Sequence, residues 1–210
     1  MNKLDDKELA KAVRSLCRNE KRFNSVVKQH GPPSLRASAG GLEAVLQMVT
    51  EQFLSLAAAA AIWKRLHLRL QPHHPTIILE CPQEELVSLG LSRAKAKCFH
   101  GLAQAVASGA MDFAALEAMD DVTAHKTLVA LPGIGPWTAD IYLLSVLLRP
   151  DAWPWGDVAL QAAAHNLFDL AERPDKAGMI ELGERFRPHR AVAARLLWAH
   201  YRDMKQMSQA

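Results

Sequence analysis

The chain has 210 residues, with 25 Lys and Arg against 22 Asp and Glu, which gives a formal net charge of +3. Half of the residues are hydrophobic and 22% are charged, which is ordinary for a globular protein that buries a sizeable core. The small basic excess is compatible with a nucleic-acid partner without requiring one, because the placement of the charge matters more than its sum.

The cysteines, Cys17, Cys81 and Cys98, are odd in number and far apart, which argues against a disulfide framework and for a reducing compartment. Three scattered thiols also cannot supply the four thiolates of an iron–sulfur cluster. The N-terminal residues lack the apolar core of a signal peptide, and charges interrupt every long apolar run. We therefore expect a cytoplasmic protein without a membrane-spanning segment.

Nearly every periodic stretch of the sequence predicts a helix. In chain order the predicted helices cover residues 42–49, 55–66, about 92–106, 121–130, 136–147, 157–170 and 191–205. Ser92, Asp121 and Asp157 are residue types that cap helix N-termini, and Pro136 suits a first helical turn. Only Pro75 to Leu79 (PTIIL) resembles a strand, and it is too short to build a sheet. The sequence therefore predicts an all-α fold.

The breaks between these helices are too short to be flexible linkers. We expect one unit of two helical lobes that share a single continuous chain. The central lobe would cover about residues 36–135 and end in a hairpin, and the second would combine residues 1–35 with 136–210.

The most informative segment is Leu131–Ala139, with the sequence LPGIGPWTA. Two glycines flank one apolar residue between two helical segments, so the turn uncovers backbone N–H groups just before a helix N-terminus. Such a turn can hold an anion, and a DNA phosphate is the natural guest. The alternative is an ordinary helix–turn–helix connection with a glycine cap.

This segment resembles the hairpin of the helix-hairpin-helix DNA glycosylases that carry a Gly/Pro-rich loop and a following aspartate. The branch it resembles most is 3-methyladenine DNA glycosylase II (AlkA-like). The similarity continues at Val49–Ser55, Leu89–Ala96, Trp153–Asp157 (WPWGD) and Pro188–Trp198, and so spans roughly residues 35–205. It implies the compact form of the family, without an N-terminal β-rich domain.

The resemblance assigns Asp157 as the catalytic carboxylate. Excision of a base breaks an N-glycosidic bond through a cation-like sugar, which a fixed carboxylate can stabilise while it orients or deprotonates the attacking water. An aspartate after glycine at a helix start is also an ordinary N-cap, and the two roles need not exclude each other.

Bifunctional members of the superfamily carry a lysine nucleophile two residues after the second hairpin glycine, where this chain has Trp137. Without that amine a strand-cleaving lyase step has no obvious agent, so we expect a monofunctional enzyme. By resemblance Trp137 and Trp198 line the base pocket, where aromatic faces suit an electron-poor alkylated base. Ile141 stands where relatives have a tyrosine, and core packing is the alternative for both tryptophans.

The remaining expected DNA contacts are the hairpin residues Gly133, Gly135 and Thr138, together with Arg190 at the start of the last helix. Gln52 and Phe53 lie where related enzymes push a side chain into the gap left by the flipped nucleotide. Phe53 is an aromatic wedge in this interpretation and a core residue in the alternative. Arg93, Lys95, Lys97 and Arg187 are further candidate phosphate contacts.

Two segments of the sequence are candidates for binding a metal ion. The backbone carbonyls of Val129, Leu131 and Ile134 correspond, by resemblance alone, to ligands of a sodium or potassium ion in the family's hairpin. The His73–His74 pair with Cys81 matches no strong zinc pattern and favours a solvated loop. We expect no cofactor for catalysis and no iron–sulfur cluster.

The preferred function is hydrolytic removal of alkylated bases, such as 3-methyladenine, from double-stranded DNA in base-excision repair. We expect a monomer that associates with the nucleoid. Two alternatives stay open: a helix-hairpin-helix DNA-binding module without catalysis, and a glycosylase for deaminated or mismatched bases. Asp157 together with Trp137 and Trp198 favours the enzyme, because a pure binder needs the glycines but no aromatic pocket.

Overall fold

The computed structural model describes residues 3–35 and 40–207, and all the regular structure in these ranges is helical. The α-helices are α1 (Asp6–Asn19), α2 (Arg22–His30), α3 (Gly41–Glu51), α4 (Leu56–Leu70), α5 (Pro75–Glu80), α6 (Gln83–Ser88), α7 (Arg93–Ala107), α8 (Asp121–Val129), α9 (Pro136–Ser145), α10 (Val158–Leu167), α11 (Lys176–Glu184) and α12 (Arg190–Met207). A 3-10 helix, Ala115–Ala118, precedes α8. Among the described helices, none combines the length and apolarity needed to cross a lipid bilayer.

Several helices begin at a side chain that accepts the otherwise unpaired amide hydrogen three residues further on. These caps are Asp5, Ser55, Ser92, Asp120, Asp157 and Asp175. The caps predicted at Ser92 and Asp157 are confirmed. The one predicted at Asp121 is wrong by one residue, because Asp120 accepts from the Thr123 amide and Asp121 is already helical.

The strand predicted at Pro75–Leu79 is wrong, since these residues form most of α5. Pro75 occupies the first helical position, where its fixed φ suits a helix and its missing N–H costs nothing. α5 packs on α7 and buries Ile78 completely. This packing outweighs the preference of β-branched residues for strands.

The described chain divides into two compact units, of which the first spans residues 38–142. Its core forms where α3 packs on α4 and α7, and where α5 and α6 pack on α7. Leu46, Leu66, Phe99 and Leu102 are buried there with at most 1% of their surface exposed. This unit holds the hairpin, and it extends into α9 rather than ending before that helix as predicted.

Within the described residues, the second unit combines residues 3–35 with 143–207. α12 lies against α1, α2 and α10 within it. Phe23, Phe168 and Phe186 form a buried aromatic cluster with ring centroids 5.5–5.8 Å apart. The packing of α10 against α12 positions the loop that leads to Asp157.

Candidate active site

The hairpin between α8 and α9 can accommodate only glycine at position 133. Gly133 has φ +73°, and a Cβ there would lie 2.6 Å from Sγ of Cys98. The Cys98 thiol donates to the carbonyl of Pro132 at 3.0 Å. Burial raises the pKa of Cys98 to about 11, so the sulfur stays protonated and can donate. The turn is therefore held on α7 by a contact that leaves no room for a side chain.

Gly135 differs from Gly133 in having open space where its side chain would be. Nothing lies within 4 Å of a Cβ built on Gly135, and its φ is outside the left-handed region. The turn itself therefore requires glycine at Gly133 but not at Gly135. The open space lies at the first turn of α9, whose amides have no intrahelical carbonyl to bind. A small residue at Gly135 keeps this helix end accessible to a large anion.

Gln52 connects the end of α3 to the hairpin. Its side-chain amide donates to the carbonyl of Gly133 at 3.2 Å and to Oγ1 of Thr138 at 2.9 Å. Thr138 is 2% exposed, so a phosphate contact by this residue would use its backbone amide rather than its hydroxyl. In the structure, the hydrogen bond between Gln52 and Thr138 holds the end of α3 against the hairpin. The DNA contacts assigned to these two residues stay predictions.

Phe53 follows Gln52 and is fully exposed, with φ +58°. The interpretation of Phe53 as a core residue is therefore wrong. A left-handed backbone is unfavourable for an aromatic residue and persists only where the surroundings hold it. The ring is presented to solvent as a wedge would be.

Lys95 holds the backbone on the N-terminal side of Phe53. Its ammonium donates to the carbonyls of Thr50 at 2.9 Å and Gln52 at 2.7 Å. Partial burial lowers the pKa of Lys95. The sequence suggested Lys95 as a phosphate contact and missed this bracing role, because no local pattern separates the two uses of a lysine.

Asp157 caps α10 and is half-buried. Its Oδ1 accepts from the amide of Leu160 at 2.8 Å and from Nε1 of Trp198 at 3.1 Å. The chain reaches Asp157 through a tight turn in which its amide donates to the carbonyl of Pro154 at 2.9 Å. The carboxylate is thus fixed in position by a helix N-terminus and an indole donor.

Trp137 and Ile141 lie four residues apart on α9, so they share one face of the helix, and both are half-buried. This arrangement is compatible with a pocket wall and with partial core packing. The pocket roles of Trp137, Ile141 and Trp198 stay predictions.

Arg190 begins α12 with its guanidinium already engaged. It donates to Asp151 at 2.9 Å and to Glu184 at 3.4 Å, and its side chain is only 16% exposed. Arg187 pairs with the same two carboxylates at 2.6 and 2.7 Å. The phosphate contact assigned to Arg190 stays a prediction, and it would have to compete with these acidic partners.

The solvated loop expected around His73 is wrong for that residue, which is 6% exposed. His73 faces Glu43, as does His67 from the last turn of α4. Cys81 is buried as well. The sequence interpretation missed this cluster because it considered only neighbours along the chain.

Residues 46–188 match the profile of the HhH-GPD superfamily of base excision DNA repair proteins. This range includes both the hairpin and Asp157.

Two curated relatives differ in how much of their length this chain covers. The Schizosaccharomyces pombe alkylbase DNA glycosidase-like protein mag2 is 26% identical over 200 residues, which is 92% of this chain and 94% of mag2. YfjP of Bacillus subtilis is 32% identical over 124 residues, or 59% of this chain, and the match spans only 43% of YfjP.

A solved structure of similar fold is the 3-methyladenine DNA glycosylase Mag1 of Schizosaccharomyces pombe in complex with abasic-DNA. It superimposes with a TM-score of 0.83 and 26% sequence identity, covering 90% of this chain and 95% of Mag1.

Proposed function

Because this chain belongs to the HhH-GPD superfamily of base excision DNA repair proteins, we propose that it is a monofunctional glycosylase for alkylated bases in double-stranded DNA. The observation that carries the proposal is the carboxylate of Asp157, held by the Leu160 amide and the Trp198 indole. The name of mag2 supports an alkylated base as the substrate, and that of Mag1 supports one of the 3-methyladenine type.

In the proposed reaction the bond between the base and the anomeric carbon breaks, and the bonding electron pair leaves with the base. The Asp157 carboxylate stabilises the positive charge that develops on the sugar. It also orients a water molecule and accepts its proton as the oxygen attacks the anomeric carbon, leaving an abasic site. The two hydrogen bonds to Oδ1 hold the carboxylate in one rotamer.

The hairpin would grip a phosphate through backbone amides near Gly135, in the open space where a Cβ has no neighbour. Phe53 would enter the duplex and replace the stacking lost when the damaged nucleotide leaves it. Trp137 and Trp198 would supply aromatic faces for the electron-poor base.

The absence of a lyase step follows from Trp137 at the position of the family's lysine nucleophile. An imine with the abasic sugar needs an unprotonated amine beside the anomeric carbon. Lys95 donates to two carbonyls, which engages its amine in bracing the loop at Gln52. Water is therefore the proposed nucleophile.

A sodium or potassium ion in the hairpin is proposed as a structural aid to phosphate binding. The carbonyls that would hold it, those of Val129, Leu131 and Ile134, lie at the C-terminal end of α8 and in the turn after it, where the helix dipole favours a cation. Uncharged carbonyl oxygens suit a hard monovalent ion. The Leu131 carbonyl accepts from the Ile134 amide at 3.2 Å and keeps a second lone pair for an ion.

The test is a panel of duplex oligonucleotides that each carry one lesion, incubated with the protein and then treated with alkali. We expect alkali-labile abasic sites at alkylated bases such as 3-methyladenine. Cleavage only at deaminated or mismatched bases would correct the substrate class. Binding to every duplex without any excision would instead favour a non-catalytic DNA-binding module. We further propose that the protein acts as a monomer at the nucleoid.

A further inference from the structure

Three potential metal ligands converge within the first unit. Glu43 lies in the first turn of α3, His67 in the last turn of α4, and His73 in the segment that enters α5. One ligand atom from each residue lies within 4.8 Å of the other two. Glu43 and His67, which are 24 positions apart along the chain, are thus brought together by the packing of α3 on α4.

The distances match those of a small coordination sphere. Nδ1 of His67 is 3.3 Å from Oε1 of Glu43, and Nδ1 of His73 is 3.5 Å from Oε2. Ligands at about 2.0–2.1 Å from a tetrahedral zinc ion are separated by about 3.3–3.4 Å. Each imidazole is therefore at a suitable distance from one oxygen of Glu43, and a shared ion would draw the three ligand atoms, now within 4.8 Å of one another, closer together.

The surroundings hold both imidazole rings in place. Trp63 stacks on His73 with ring centroids 5.6 Å apart and an interplanar angle of 16°, and the His67 ring is 4.8 Å from that of His73. The side chain of Gln71 contacts Nε2 of His67 and restricts this ring further.

We infer that Glu43, His67 and His73 form a binding site for a divalent transition metal, with Zn²⁺ as the best match. Two imidazoles and one carboxylate are a ligand set that suits zinc, and they leave a fourth position for water. The ion would tie α3, α4 and the entry to α5 together, and so stabilise the unit that carries the hairpin. This role is independent of the proposed glycosylase activity.

Without a metal, the same geometry has a simple alternative. Each neutral imidazole would turn its Nδ1 hydrogen towards one oxygen of Glu43, at distances longer than those of ordinary N–H···O hydrogen bonds. Removal of the Glu43 charge distinguishes the two arrangements, because an amide at this position can still accept hydrogen bonds but is a poor zinc ligand.

The experiment uses the full chain after dialysis against a chelator. Zn²⁺ is titrated by calorimetry, and Co²⁺ is titrated separately while its visible absorption bands report a tetrahedral site. We expect one equivalent of either metal to bind and Zn²⁺ to raise the Tm. In Glu43→Gln and His67→Gln the metal affinity should fall at least about a hundredfold, whereas His74→Ala should bind as the wild type does. His74 is the matched control because it neighbours the site but contacts Thr76 instead.

Both glutamine variants are close in size to the residues they replace, and circular dichroism verifies that they fold. Equal Zn²⁺ affinity in the wild type and both variants would overturn the inference, as would the lack of stoichiometric binding. Asp157→Asn should bind the metal normally, so failure of the metal site and failure of the glycosylase proposal are separate results.

Discussion

The indole N–H of Trp198 donates a 3.1 Å hydrogen bond to the same oxygen of Asp157 that accepts the amide of Leu160. To cap α10, Asp157 needs only the hydrogen bond from the Leu160 amide. The second donor comes from α12, 41 residues further along the chain, and adds a constraint that capping does not explain. This pair of contacts fixes one rotamer of the carboxylate, which is a requirement for electrostatic stabilisation without reorganisation.

Asp157→Asn should lower the rate of base excision by about 10²–10³-fold, because the amide keeps the size and the cap but loses the charge. Single-turnover excision from a 3-methyladenine duplex measures the effect, and binding to that duplex should change little. Asp175→Asn is the matched control, since Asp175 caps α11 through the amide of Gly178. An Asp157→Asn enzyme with near-normal excision would contradict the catalytic assignment.

Trp198→Phe should reduce excision by about tenfold or more while leaving affinity for undamaged DNA unchanged. The change removes one hydrogen bond to a charged group, an interaction of about 1.5–3 kcal/mol. The control is Trp153→Phe, which loses an indole donor to the carbonyl of Met179 and should reduce the Tm rather than the excision step. If both variants excised the base at equal rates after correction for the folded fraction, Trp198 would have no specific role in the excision step.

The two hairpin glycines should respond differently to alanine. In Gly133→Ala the new methyl group meets Cys98 at 2.6 Å in a left-handed backbone, so the protein should lose more than about 1–2 kcal/mol of unfolding free energy. Gly135→Ala should keep the wild-type Tm and weaken binding to any duplex, damaged or not. Thermal melts and fluorescence anisotropy measure the two effects. Weaker binding by Gly135→Ala to lesion-bearing DNA alone would assign this residue to the base pocket instead.

Phe53→Ala should weaken the complex with lesion-bearing duplex by about 1–3 kcal/mol, the scale of one aromatic–base stacking contact. Because Phe53 is fully exposed, the substitution should leave the Tm unchanged. Leu56→Ala is the control, since Leu56 is 84% exposed and lies at the start of the next helix. Equal losses of affinity in the two variants would mean that general surface apolarity, rather than a wedge, holds the DNA.

Borohydride should trap no protein–DNA adduct during excision, and the product strand should stay intact until alkali is added. With Trp137 in the hairpin, the amine needed for an imine is missing from its usual place. An adduct that forms as fast as the base is released would overturn the monofunctional assignment. Lys95→Met and Lys126→Met would then identify the amine responsible.

The features that sequence could predict are those that depend on neighbours along the chain. Ser92 and Asp157 cap helices because an oxygen three residues from an unpaired amide is a local arrangement. The PTIIL segment was assigned wrongly because its burial against α7, rather than its intrinsic preference, decides its conformation.

Features that depend on contacts between distant segments were not predictable in this way. Lys95 reaches the carbonyl of Gln52 across 43 positions, and Glu43 meets His67 and His73 only after α3 packs on α4. The sequence around a lysine or a histidine does not indicate whether its side chain faces solvent, a carbonyl or a carboxylate. Only the tertiary structure distinguishes these uses.

Gln52 links the hairpin to the backbone that carries Phe53, and so fixes the distance between them within the first unit. Its amide binds the carbonyl of Gly133, while its own carbonyl is held by Lys95 directly before Phe53. The offset between a phosphate held at Gly135 and an inserted Phe53 ring is then set by the protein and not by the DNA. The enzyme would therefore test the duplex at a constant number of nucleotides from each phosphate it grips, and a shift of one phosphate would move the tested base pair by one.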